Sequence, residues 1–157
     1  MLEFRYASRE DCSLILDFIR ELAQYENLLD EVVATEELLE EWIFNKQKAQ
    51  VLFALADGFE VGFALFFYNF STFLGKAGIY LEDLFIRPEY RGKGYGKSLL
   101  RQLAAMTVEQ GCGRLEWSCL DWNKRSIDFY LSLDAQVMDS WTTYRLSGAT
   151  LEQLASG

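Results

Sequence analysis

The chain has 157 residues, half of them apolar and 15% aromatic, which excludes disorder and fits a single domain, 1–157, with a sizeable core. A formal net charge of −9 argues against nucleic acid as a partner, and no apolar run reaches membrane-spanning length. Histidine is absent, which removes His-based triads, His metal sites and the commonest general base.

Leu2 to Tyr6 alternates apolar and polar residues and reads as a half-buried strand. Ser8, with Asp11 three residues on, resembles a helix cap of the box type. The helix it opens carries Leu14, Ile15, Phe18, Ile19, Leu22 and Ala23 on one stripe and runs out around Tyr25-Glu26-Asn27. Thr35 starts a second helix, with Glu36 and Glu37 suited to the dipole and a stripe of Leu38, Leu39, Trp42 and Ile43.

Val51–Ala56 and Val61–Tyr68 read as strands joined at Asp57-Gly58, a strong hairpin signal. Asn69 to Gly75 turns into a third strand ending at Ile86, where Pro88 stops the ladder. Gly92, Gly94 and Gly96 then lead into a helix with Leu99, Leu100, Leu103 and Ala104 on one face, ending near Gly111. Arg114–Leu120 reads as a strand, and Asn123 caps a helix through Ser126, Ile127, Phe129, Tyr130 and Leu133. Gln136–Met138 and Trp141–Leu146 are expected to form a final antiparallel pair.

Strand, glycine loop and helix N-terminus together make a geometry that binds phosphate, because the loop amides lack helical partners and the dipole is positive there. Two familiar loops fail on counting. A Walker loop requires glycine where Arg91 stands, and the dinucleotide fingerprint requires Gly-x-Gly-x-x-Gly rather than Gly-x-Gly-x-Gly. Between Arg87 and Arg101 lie five basic residues and one acid, so the remainder carries −13. That distribution suits a polyanion beside a cationic substrate. Cys12, Cys112 and Cys119 lack metal-like spacing and leave one thiol unpaired, and no signal-peptide pattern is visible; a cytoplasmic location is expected.

Arg91-x-x-Gly94-x-Gly96 resembles the acyl-CoA pyrophosphate loop of the GCN5-related N-acetyltransferases (GNAT), and the element order βααβββαβαβ(β) agrees with that fold. Leu22-Ala23-Gln24-Tyr25-Glu26, Tyr80-Leu81-Glu82-Asp83, Arg91 to Gly96, and Leu120-Asp121-Trp122-Asn123 with Phe129-Tyr130 resemble the spermidine/spermine and thialysine acetyltransferases. Pro88-Glu89-Tyr90 and Asp121-Trp122-Asn123 are similar to the thialysine branch. Two departures stand out: a short hairpin at Asp57-Gly58, and Asp134 where the family turn has glycine, a residue that tolerates the left-handed backbone.

The resemblance implies an α/β (α+β) fold with a mixed central sheet, an antiparallel N-terminal meander, a parallel splayed pair at the acyl-CoA site and flanking helices. It implies acetyl-CoA as cosubstrate, held by backbone N–H groups of Leu84, Phe85 and Ile86 at the pantetheine and thioester. Arg91 and the amides of Gly92, Lys93, Gly94, Tyr95, Gly96 and Lys97 would take the pyrophosphate, with Lys93, Lys97 and Arg101 offering charge. Asn123 and Ser126 would touch the pantetheine or adenosine side, although a plain helix cap explains Asn123 equally well.

Glu82 sits on an otherwise apolar strand, where burial would raise its pKa and suit it to take a proton from an ammonium. An outward-facing acid is the alternative, weakened because Asp83 follows directly. Tyr130 matches the family position that protonates the departing thiolate; packing beside Phe129 is the other reading. Tyr25 and Glu26 match the amine-binding segment, and Trp117, Asp121 and Trp122 are candidates to line the same pocket by charge and cation–π attraction. Cys119 has no histidine to activate it, so direct attack is expected.

The expected activity is transfer of acetyl to a primary amine of a small cation, a polyamine, thialysine or related diamine. A homodimer is expected, with no metal, nucleic acid or membrane partner. A protein or peptide N-acetyltransferase, and a non-catalytic CoA-binding regulatory protein of the same fold, are the alternatives.

Overall fold

The alternation at the N-terminus forms an edge strand, β1 (Leu2–Tyr6), antiparallel to β2 (Gln50–Ala56) with Leu2 opposite Ala56 and Tyr6 opposite Leu52. The structure is a computed structural model describing residues 1–157. Two compact units are distinguished, Met1–Ser118 and Cys119–Gly157.

In the first unit, β2 turns into β3 (Phe59–Ser71) through Asp57 and Gly58, at φ 51° and 82°. Two successive left-handed residues match the twist of the flanking strands, which is why Asp-Gly is favoured there. β3 pairs with β4 (Lys76–Ile86), and α3 (Tyr95–Glu109) crosses over to β5 (Leu115–Trp117), parallel to β4. The sheet order is β1-β2-β3-β4-β5. This is the mixed sheet expected, an antiparallel meander ending in one parallel pair flanked by helices.

Helices cover both faces of the sheet, which explains why Val51, Leu52, Phe53 and Ala54 are all buried. α1 (Cys12–Tyr25) lays Ile15 and Phe18 on one face against Val51, Phe53, Phe63 and Phe85. The Phe18 ring stacks on Phe63 at 5.2 Å between centroids. α3 buries Leu99, Leu103 and Met106 and packs on β4 and β5. The buried hydroxyl of Thr107 donates to the Leu103 carbonyl at 2.8 Å and is satisfied.

Arg5 on β1 forks onto Asp11 at 2.8 and 3.0 Å and onto Glu60 at 2.6 Å, tying β1, the turn before α1 and β3. Asp11 also accepts the Ser8 N–H at 2.7 Å, so the predicted capping pair forms. The second helix starts as expected, with the Thr35 hydroxyl accepting the Leu38 N–H at 3.2 Å. α2 (Glu36–Leu39) then widens into π-type turns over Glu40–Asn45, where the Lys46 N–H reaches the Glu41 carbonyl at 2.8 Å. The wider turns rotate the expected stripe. Ile43 is buried, whereas Leu38 and Trp42 face solvent.

Two expectations are corrected. β5 spans three residues rather than Arg114–Leu120, because its partner is interrupted: pairing ends at Leu81 opposite Trp117, and a β-bulge at Glu82 follows. In the second unit, α4 (Lys124–Ser132) ends at Leu133, and Asp134 adopts the left-handed backbone at φ 62° that its chemistry tolerates. Neither Gln136–Met138 nor Trp141–Leu146 is a strand. Their residues have strand propensity, but a strand requires a ladder partner and none exists within this unit. Tyr144 is accordingly 92% exposed. The chain closes with α5 (Gly148–Ala155). No helix is long and apolar enough to cross a membrane.

Candidate active site

α1 ends where its periodic stripe runs out. The Glu26 N–H closes on the Leu22 carbonyl at 3.0 Å, and Asn27 at φ 60° turns the chain away. Two arginines that follow β4 fasten the last turns of this helix. Arg87 forks onto Glu21 at 3.1 Å through both Nε and Nη2, donates to the Glu60 carbonyl at 3.2 Å and covers the Phe18 ring at 4.3 Å. Four residues on, Arg91 donates from Nε to the Ile86 carbonyl at 2.9 Å. Its guanidinium lies 4.8 Å from the Tyr25 ring centroid and 5.1 Å from that of Phe85.

The carboxyls are arranged by the bulge. Leu65 faces Asp83 and Phe66 faces Leu81, which leaves Glu82 as the extra residue on β4. Glu82 is therefore exposed, contrary to the burial expected for it. Asp83 keeps some open surface but is enclosed by protein. Its pKa is pushed up to about 7 by that enclosure first, then by the charges of Glu82 and Glu26. Burial also pushes the Glu26 carboxyl up. Sequence reading missed Asp83 as the enclosed acid. The signal was the Glu-Asp pair on a central strand, but strict alternation cannot say which member turns inward once a bulge intervenes.

On its β5 side, β4 runs unpaired beyond Leu81, so Leu84, Phe85 and Ile86 have no strand beside them there. Close approach of β3 supports this end. A Cβ at Gly62, opposite Ile86, would lie 2.5 Å from the Phe85 carbonyl oxygen, so only glycine fits. After the turn at Pro88–Tyr90, Gly92 and Gly94 both take φ 79°, the left-handed region in which glycine carries no penalty. Gly94 then caps α3.

The Ser98 N–H closes on the Gly94 carbonyl at 3.0 Å, so the amides of Tyr95, Gly96 and Lys97 precede the first helical bond. Gly96 differs from its neighbours. Its φ is not positive and an added Cβ would only touch Ile86 Cγ1 at 3.9 Å, so the fold itself does not demand glycine there. Lys93, Lys97 and Arg101 are exposed around these amides, with the Lys93 Nζ 5.6 Å from the Tyr90 ring centroid. Open amides, a positive helix end and three exposed cations can hold a pyrophosphate. Trp117 ends β5, half-buried.

The second unit places Asp121 and Trp122, both exposed, in the turn before α4. Asn123 is buried, and its side-chain oxygen accepts the Ser126 N–H at 3.3 Å. Asn123 is thus a helix cap, and the Ser126 amide serves that cap. Tyr130 is half-buried on α4 with its ring 5.5 Å from that of Phe129.

A family profile described as the acetyltransferase (GNAT) family matches residues 16–134, a span that includes parts of both units. The chain belongs to the GNAT family. This GNAT chain is 37% identical to the thialysine N-epsilon-acetyltransferase of Bos taurus over 163 residues, 96% of this chain and 95% of that protein. It is 29% identical over 164 residues to the spermidine/spermine N(1)-acetyltransferase-like protein 1 of Homo sapiens, 98% of this chain and 24% of that protein. An integron cassette protein from the mobile metagenome of V. cholerae superposes with a TM-score of 0.83 at 26% identity, covering 99% of this chain and 98% of that one. The resemblance to the thialysine and spermidine/spermine enzymes is borne out. GNAT acetyltransferases use acetyl-CoA as cosubstrate, and the loop amides and open β4 edge described above fit its pyrophosphate and pantetheine.

Proposed function

We propose that the protein transfers acetyl from acetyl-CoA to a primary amine of a small molecule carrying a second positive charge, such as a polyamine, thialysine or a related diamine. The reading includes a single catalytic domain spanning 1–157, assembled as a homodimer in the cytoplasm. The observation that carries it is the enclosed Asp83, raised to about 7, with Glu26 and Glu82 close enough to raise it. A carboxyl with that proton affinity can accept a proton near neutral pH, which a solvated aspartate cannot do well. The two further carboxylates favour a dication over a neutral amine. Thialysine and spermidine/spermine in the names of the relatives support the same class.

The bound thioester supplies an activated acetyl group. The amides of Leu84 and Ile86, which alternate with the β3-facing Phe85, hold the pantetheine and polarise the carbonyl, while those from Gly92 to Lys97 hold the pyrophosphate. Asp83, raised by its enclosure and by the charges of Glu82 and Glu26, takes the proton from the substrate ammonium, with Glu82 beside it on the bulge. Tyr25 and Glu26 receive the distal charge, joined by Trp117, Asp121 and Trp122 as lining residues. As the C–N bond forms and the C–S bond breaks, Tyr130 gives a proton to the leaving thiolate and is restored by the second proton lost from the amide nitrogen. Attack is direct, because Cys119 has no histidine to activate it.

Release of free CoA from acetyl-CoA, with and without added spermidine or thialysine, tests this reading. Amine-dependent release is expected. A protein that binds CoA tightly but releases none with any amine would instead be a non-catalytic CoA-binding protein.

A further inference from the structure

Arg91 is the basic residue that opens the glycine loop, and its side chain packs back on β4 and α1. Its Nε donates to the Ile86 carbonyl at 2.9 Å, and its guanidinium packs against both Tyr25 and Phe85. One planar group therefore touches the end of β4 and the tip of α1, while its backbone leads directly into Gly92. The neighbouring clamp differs. Arg87 holds Glu21, one turn earlier on α1, through a bidentate ion pair that involves no loop residue. The penultimate turn of α1 is thus fixed to Arg87, just after β4, and the last turn, with Tyr25 and Glu26, is fixed through Arg91.

Resting on the acetyl-CoA reading above, we propose that Arg91 is a positioning residue that couples the cofactor loop to the amine-binding tip of α1. When the loop is held by pyrophosphate, Arg91 keeps its seat on Ile86 and Tyr25, and Tyr25 and Glu26 stay placed for the amine. Coupling of two sites is reciprocal, so amine at the tip tightens CoA binding by the factor that CoA tightens the amine. A guanidinium over a partly exposed aromatic ring predicts a factor of about five, the low end of typical couplings. The planar fork is essential. Lysine keeps the charge but offers no fixed Nε–H for Ile86 and no flat face for Tyr25.

The experiment is amide hydrogen exchange at Glu26, Asn27 and Leu28, whose N–H groups bond back to Leu22, Gln24 and Ala23, measured with and without CoA. CoA should slow these amides several-fold in the wild type. It should leave them unchanged in Arg91→Lys, and in Tyr25→Leu, an exposed position whose replacement leaves the core intact. Calorimetry on the same samples reports CoA affinity. Wild-type protein that binds CoA without slowing the tip amides overturns the coupling alone, and equal slowing in wild type and both variants does the same. Absence of CoA binding to the wild type overturns the acetyl-CoA reading together with it.

Discussion

Glu82 and Asp83 are neighbours in sequence, but the bulge in β4 leaves the first in solvent and encloses the second. Asp83 therefore binds its proton more tightly in the folded chain than in the unfolded one, where a carboxyl of ~3.9 applies. Its contribution to stability is complete below about pH 4 and is lost as pH rises through about 7. Asp83→Asn carries no charge to desolvate. The variant should melt above the wild type at pH 8, by at most ~4 kcal/mol of stability, and alongside it at pH 4, while kcat falls. Melting curves at the two pH values check this, and an equal difference at both would contradict the enclosure of Asp83.

Glu26→Gln removes a recognition charge and keeps Glu82 and Asp83, lowering the pKa of Asp83 less than Glu82→Gln does because the Glu26 charge is the smaller of the two that raise it. The amine KM should rise with kcat nearly unchanged, the signature of lost uniform binding. Glu82→Gln should instead lower kcat and move the pH limb of activity, because it removes a negative charge that raises Asp83. Initial-rate kinetics over both substrates separate these outcomes, and a reversed pattern would exchange the roles of the two residues.

Gly94 and Gly96 are expected to respond differently to valine. Gly94→Val forces a β-branched residue to φ 79° and should cost stability as well as CoA affinity. Gly96→Val meets only ordinary contact in the protein, so its melting temperature should change much less, while CoA affinity falls sharply because the side chain occupies the ligand's approach. Calorimetric CoA affinity that is unchanged in folded Gly96→Val would remove the pyrophosphate from this helix end.

Tyr130→Phe keeps the ring against Phe129 and deletes only the hydroxyl. A fall in turnover on the order of 10²-fold is expected for loss of a positioned acid, with CoA affinity little changed. Unaltered turnover would return Tyr130 to a packing role.

The meander, the glycine loop and α3 were legible because their determinants are local. Asp57-Gly58 dictates a hairpin, Pro88 ends a ladder, and Leu99 and Leu103 repeat at helical spacing. The parallel β4–β5 pair followed from the helix between them. What was not legible depends on contacts distant in sequence. The Glu82 bulge shifts alternation by one residue, so the enclosed acid is Asp83. The seat of Arg91 on Tyr25 spans 66 positions, and its charge alone pointed toward phosphate. Trp141–Leu146 has strand composition without a strand to pair with in its own unit, a matter of partners rather than propensity.

The most direct measurement is mass spectrometry of products formed from acetyl-CoA and a mixed panel of spermidine, putrescine, thialysine, lysine, aminoglycosides, a neutral monoamine and short peptides. The charge arrangement around Asp83, Glu26 and Glu82 predicts that small molecules with a second positive charge are acetylated first, at a primary amine. Preference for the neutral monoamine or for a peptide over every dication would contradict it.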